Sequence, residues 1–211
     1  MQININHNVN FKAKDPKIRF ADNLARRANQ EFPRISATKM ERFNHADDYP
    51  QVINRLNADI RKLRFEQNMQ MRPSTMASEF ADILFQSIKR AKKGNCGESA
   101  EIALIMAKLN GIDDCTKACL QNPYGGNFDH SVVYVKGKKP YIIDAWLGFA
   151  DYVPNAIKRY QSEFRRYFDF DKYGEKMVIK EPFYNYDKIF SQREIEKIKR
   201  NYPELILRKQ K

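Results

Sequence analysis

The sequence predicts an α+β fold, with helices packed around a small antiparallel β-sheet. Three observations carry that expectation. The first half holds apolar residues at helical spacing: Leu24, Ala25 and Ala28; then Val52, Ile53, Leu56, Ile60 and Leu63; then Met76, Phe80, Ile83, Leu84 and Ile88. Residues 129–135 and 140–146 are rich in Val, Ile, Tyr and Trp, and the run Lys136-Gly137-Lys138-Lys139 between them reads as a hairpin turn. After Gly148 a helical pattern returns, with Ile157, Tyr160 and Phe164 on one face.

Taken in order, residues 1–19 are expected to be a flexible N-terminal segment, with Asp15-Pro16 as a breaker. A helix is predicted from Phe20 to Phe32, stopped by Pro33. A second starts near Asp47-Asp48 with Pro50 close to its first position, and a third at Arg72-Pro73-Ser74. A fourth opens at Cys96. Asn95 is its N-cap, Glu98 three residues on completes a capping-box pattern, and Asn110-Gly111 ends it. Thr116, Ala118 and Leu120 alternate as in a strand, and Asn122-Pro123-Tyr124-Gly125-Gly126-Asn127 reads as a loop. A helix from Pro154 to Tyr167, a short strand at Met177-Val178-Ile179, and a last helix opened by the Ser191–Glu194 capping box complete the chain. With no internal repeat and no flexible linker, residues 20–211 are expected to form one domain.

The composition sets limits on function. At 211 residues, 42% hydrophobic and 12% aromatic, the chain is large and apolar enough to bury a core, which argues against general disorder. No apolar run reaches membrane-spanning length. Residues 1–14 lack the apolar stretch of a Sec signal, so the expected location is the cytoplasm or export by a non-Sec route. The net charge of +12 fits either a solvated basic surface or a field that steers an acidic protein or peptide substrate; no specific nucleic-acid motif accompanies it. His7, His45 and His130 are scattered, no Cys/His spacing suits zinc, and no cofactor is implied. Cys115 and Cys119, four apart on a predicted strand, are too distant for a local disulfide.

Three residues carry the chemistry. Cys96 stands in the first turn of its helix, where the unpaired N–H groups and the helix dipole favour thiolate and can hold an oxyanion. His130 and Asp144 lie on the two predicted strands. A turn centred on Gly137 would set them directly opposite each other, on one face. The carboxylate would then fix the imidazole tautomer, leaving the other ring nitrogen for the thiol proton. Four neighbours join them as candidates for the oxyanion hole or cleft. Asn95 and Gly97 flank the thiol, Gln86 lies upstream, and Trp146, the only tryptophan, would shield the pair or simply pack in the core. Gly94 and Gly97 would leave room for a substrate backbone.

At these residues the chain resembles the transglutaminase-like and papain-like cysteine hydrolase superfamily. Gly94-Asn95-Cys96-Gly97-Glu98 looks like its Cys motif, and Asn110-Gly111-Ile112 like the end of its helix. Asp129-His130-Ser131-Val132-Val133 is similar to its His strand, and Ile143-Asp144-Ala145-Trp146 to its Asp strand. The resemblance covers roughly residues 91–148. It implies a nucleophilic Cys96, His130 as base and then acid, and Asp144 as orienter. Members of that superfamily cleave peptide bonds, deamidate glutamine or transfer acyl groups, and bacterial glutamine-deamidating effectors are among them. Ser131 and Val132 replace the aromatic that usually follows the His. The expected function is thiol-dependent amide acyl transfer, as a glutamine deamidase or transglutaminase-like hydrolase. The alternatives are a cysteine protease of that superfamily or a non-catalytic basic binding module.

Overall fold

The structure, a computed structural model, describes residues 15–37, 50–121, 129–163, 178–180 and 190–207. It is α+β. Helices α1 (Pro16–Glu31), α2 (Pro50–Gln70), α3 (Ala77–Ala91) and α4 (Cys96–Leu109) precede strands β1 (Cys115–Gln121), β2 (Asp129–Val135), β3 (Tyr141–Asp144) and β4 (Phe149–Tyr152). Helix α5 (Val153–Glu163), strand β5 (Val178–Lys180), helix α6 (Gln192–Asn201) and a 3₁₀ turn (Pro203–Leu205) follow. The strands form one sheet in the order β4-β3-β2-β1-β5, and every pairing is antiparallel. No helix among the described residues is long and apolar enough to cross a membrane.

Helix α1 corrects the predicted N-terminal boundary. Asp15 accepts a hydrogen bond from the Lys17 N–H at 2.9 Å, and Pro16 fills the first helical position, where a missing N–H costs nothing. Asp15-Pro16 is therefore a helix start, and the helix begins four residues before Phe20. It buries Ile18, Ala21, Leu24, Ala25 and Ala28 in the main core. Its buried Asp22 accepts the Ala150 N–H at 3.0 Å, tying α1 to β4. Helix α3, by contrast, starts later than predicted, at Ala77. Arg72-Pro73-Ser74-Thr75 forms a turn instead, closed by Thr75 N–H to the Arg72 carbonyl at 2.9 Å.

Helix α4 is buried on almost all sides, as its run of Ala, Ile, Leu and Met requires. It ends as expected. Gly111 adopts φ +78°, and the Ile112 N–H returns to the Ala107 carbonyl at 2.9 Å. The helix packs in a core that also holds Cys115, Val133, Val135, Tyr141 and Ile143, one face of the sheet. The other face, with Ala118, Leu120, Val132 and Ile142, packs with Trp146, Phe149, Ala156 and Tyr160. Cys96, at the head of α4, packs against this second cluster.

The hairpin register differs from the expected one. Val133 pairs with Ile143, Tyr134 with Ile142 and Val135 with Tyr141, so the register is centred on Lys138 and not on Gly137. Pro140 is the physical reason: without an N–H it cannot donate to the ladder, so pairing begins at Tyr141 and the loop lengthens. The change of two keeps every side chain on its expected face but moves Asp144 opposite Val132, one diagonal away from His130. Strand β3 is also shorter than predicted. Residues 145–148 turn back, with the Gly148 N–H on the Asp144 carbonyl at 2.8 Å and Gly148 at φ +75°. Strand β4, four residues with no clear alternation, has no readable signal in the sequence. The loop at 122–128 and the helix predicted beyond 163 lie outside the described residues.

Helix α6 closes the fold. Its Glu194, buried in the first turn, accepts hydrogen bonds from both the backbone N–H and the hydroxyl of Ser78, in the first turn of α3, and pairs with Lys197 at 2.6 Å. Tyr202, just beyond, stacks edge-on against Phe85 and donates to Asp82 at 2.7 Å.

Candidate active site

The head of α4 is fixed by the chain that runs before it. Lys92 caps α3 in the left-handed conformation. Residues 92–94 then pair with Ile35: the Ile35 N–H donates to the Lys92 carbonyl at 2.9 Å and the Gly94 N–H to the Ile35 carbonyl at 3.1 Å. This pairing brings Ser36 beside Asn95. The Ser36 hydroxyl donates to Asn95 Oδ1 at 2.8 Å and accepts the Trp146 indole N–H at 2.9 Å. Glu98 reaches back to the Asn95 N–H at 2.8 Å, the capping-box contact expected from the sequence. Gly94 is needed for packing within the chain: a Cβ there would lie 3.2 Å from Arg34 Cδ and from Glu98 Cβ, so its small size admits these side chains and not a substrate.

Glu98 is nearly fully buried and is gripped from outside by Arg64 of α2, with Nε–Oε1 at 2.5 Å and Nη2–Oε2 at 3.0 Å. Burial pushes the Glu98 carboxyl up, but the guanidinium and the Asn95 N–H outweigh it and hold the group below the usual carboxylate range. Arg34 anchors the other side. Its Nε donates to the Ser99 hydroxyl at 3.0 Å and Nη2 to Asn29 Oδ1 at 3.0 Å, and burial pulls its guanidinium down to about 10.

His130 and Asp144 meet across the diagonal of the hairpin. His130 Nε2 and Asp144 Oδ2 are 2.6 Å apart, and both side chains are completely buried. The carboxylate is positioned on all sides. Oδ1 accepts the Leu147 N–H at 2.9 Å, and Oδ2 also accepts the Tyr160 hydroxyl at 2.8 Å. Trp146 lies against the imidazole with ring centroids 5.0 Å apart, and Tyr160 sits edge-on at 5.5 Å. Trp146 is thus both core and a wall of the site.

Burial alone would discharge His130. The Asp144 charge and hydrogen bond, reinforced by Cys96 as a hydrogen-bond partner and a charge, more than offset it and raise the imidazole to about 10. Burial likewise pushes Asp144 up, but His130, the Leu147 N–H and Tyr160 hold it below its ordinary value. An imidazolium–carboxylate pair is the favoured state at neutral pH. With Nε2 turned to Asp144, Nδ1 is the ring nitrogen left for the half-buried thiol of Cys96. The three cysteines carry no disulfide.

Cys96, His130 and Asp144 come together, with Asn95, Gly97 and Trp146 around them. Gln86 does not join them. It is exposed on α3 and hydrogen-bonds to Tyr202, because the 3.6-residue period that buries Leu84, Phe85 and Ile88 turns position 86 toward solvent and the C-terminal segment. Sequence reasoning placed Tyr160 on a helix face but missed its role on Asp144. It also missed Ser36, Arg34 and Arg64, which arrive from distant elements with no local spacing to betray them. Among the described residues no group of three or more His, Cys, Asp or Glu could hold a metal ion. Comparison with protein-family models, with curated proteins and with solved structures finds no match to the chain.

Proposed function

We propose that the protein is a thiol-dependent acyl transferase or hydrolase acting on amide bonds, with a glutamine side-chain amide as the favoured donor. One observation carries the reading: a helix-head thiol bears on an imidazole whose far nitrogen is held 2.6 Å from a wholly buried carboxylate. In this scheme the Cys96 thiolate attacks the amide carbonyl carbon, and an S–C bond forms as the carbonyl electrons move onto oxygen. N–H groups of the first turn of α4, which have no intrahelical acceptor, face the oxyanion. The His130 imidazolium then gives its proton to the departing nitrogen as the C–N bond breaks. Ammonia or an amine leaves, and a thioester remains on Cys96. Neutral His130 next takes a proton from water or an acceptor amine as that nucleophile attacks the thioester, and the thiolate is expelled. Asp144 keeps Nδ1 turned to the reaction throughout, and Trp146 keeps bulk water from the imidazole.

The test is to incubate the protein with a denatured glutamine-rich protein, with and without a labelled primary amine, and to trap the thioester with hydroxylamine. Ammonia release or amine incorporation that requires Cys96, His130 and Asp144 is the expected result. Chain cleavage requiring the same residues would make it a protease. Activity that survives Cys96→Ala, or the absence of any Cys96 acyl adduct, would refute the proposal.

A further inference from the structure

Two cations converge on the residue after the nucleophile. A Cβ placed on Gly97 would lie 3.5 Å from Arg64 Nη2 and 4.0 Å from Lys117 Nζ. Arg64 comes from α2 and Lys117 from β1, elements far apart in the sequence. Each is held by a carboxylate of α4: Arg64 by Glu98 at 2.5 Å, and Lys117 by Glu101 at 2.6 Å. The members of the first pair are not equally exposed. The Arg64 side chain is 46% accessible and the Glu98 side chain 4%, so the carboxylate points inward and the guanidinium faces the approach to Gly97. Gly97 itself offers no side chain to block that approach. The same Arg64 is close enough for the Cys96 charge to raise it, so the guanidinium and the thiol share one field.

From this convergence we infer that Arg64 and Lys117 form a subsite beside Cys96 that selects an acyl donor carrying an acidic residue next to the reacting amide. The inference rests on Cys96 being the nucleophile. An incoming Asp or Glu would lie over the Gly97 Cα and meet both cations. The bidentate Arg64–Glu98 pair holds the guanidinium plane in place, so little ordering is needed when the donor binds. A donor with Lys or Arg there would be repelled. The net charge of +12 adds a longer-range field of the same sign.

Charge-paired reagents test this without a known substrate. Iodoacetate and iodoacetamide have similar size and the same leaving group but differ by one charge. Their rates at Cys96 are measured by peptide mass spectrometry and compared with those of N-acetylcysteinamide. A unit charge at this range is expected to raise the iodoacetate-to-iodoacetamide ratio about three- to tenfold over the reference thiol at low salt. Lys117→Gln should cut that ratio, Lys117→Arg should keep it and Glu101→Gln should raise it; each ratio is taken within one variant, so a change in thiol ionisation cancels. Arg64→Lys should retain most of the ratio. A fast reaction at Cys96 that is blind to reagent charge would overturn the subsite and leave the nucleophile standing. So would an iodoacetate preference that persists in both Lys117→Gln and Arg64→Gln, which would belong to the imidazolium and the helix terminus. At pH 6, where the reference thiol is about 0.3% ionised, a Cys96 slower than that thiol with both reagents would remove the nucleophile and the subsite together.

Discussion

Replacing Asp144 by Asn keeps the shape of the site and removes one charge. In the native protein that charge lies 2.6 Å from His130 Nε2 in a fully buried setting, fixed by the Leu147 N–H and the Tyr160 hydroxyl. Unit charges about 4 Å apart attract by about 4 kcal/mol at an effective dielectric constant of about 20. At about 1.4 kcal/mol per pH unit, this is enough to move the imidazolium's loss of a proton by about three pH units. Burial then acts with little opposition, and His130 falls from about 10 to near or below its ordinary value of 6.5. Asn can also turn its amide N–H to Nε2 and force the ring proton onto Nδ1, the tautomer that cannot accept from the thiol.

The readout is exchange of Cys96 with a pyridyl disulfide at pH 6, followed by peptide mapping. An ordinary thiol near pKa 8.5 is only about 0.3% ionised there, so an imidazolium-paired thiolate gains about 300-fold in concentration. Its lower basicity costs about 20- to 30-fold in nucleophilicity if the thiol is acidified by about three pH units. The net expectation is about a tenfold slower Cys96 in Asp144→Asn at pH 6, with Cys119 unchanged. Above about pH 9 the order should invert, because the more basic thiolate is then fully formed. Equal rates and superimposable pH profiles in the folded variant would refute the assigned ion pair.

Tyr160→Phe removes one of the two hydroxyl- or amide-type donors that hold the Asp144 carboxylate. A bond of this charged kind is worth about 1.5–3 kcal/mol, so stability in urea should fall by about that much and the acid limb of Cys96 reactivity should shift. Gly97→Ala should leave folding intact or raise stability by up to about 1 kcal/mol, since the new methyl makes only ordinary contact with Arg64. It should nevertheless slow acylation by bulky donors more than by iodoacetamide. Glu194 is held down to about 2, first by Lys197 and Ser78, so its contribution to stability is whole above its unfolded value near 4.5 and drains as pH falls through about 2. Acid unfolding followed by circular dichroism should therefore lose its steepest part in Glu194→Gln, which should also cost about 1–3 kcal/mol at pH 7 by weakening the latch on Ser78. Trp146→Phe removes the indole N–H that the Ser36 hydroxyl accepts and should lower both thermal stability and Cys96 reactivity, measured by melting and by the exchange assay.

Local chemistry alone determined the head and tail of α4, the two strands carrying His130 and Asp144, and the Ser191 cap of α6. Each depends on interactions within a few residues: a capping box, a left-handed glycine, an alternating run. The same locality misled at Asp15-Pro16, a pair that serves equally as breaker and as helix start, and only the core waiting for Ile18 and Ala21 selects the second. Strand parity was enough to place His130 and Asp144 on one face, but not to fix their register, which Pro140 changes by two residues. Tertiary structure alone decided what surrounds the site. Tyr160 reaches Asp144, Ser36 ties Trp146 to Asn95, and Arg64 and Lys117 close on Gly97 because packing of α2 on α3, of α5 on β3 and β4 and of the sheet on α4 brings distant residues together. Such contacts leave no period in the sequence, since a side chain's partner across the core is set by how whole elements stack and not by its neighbours along the chain.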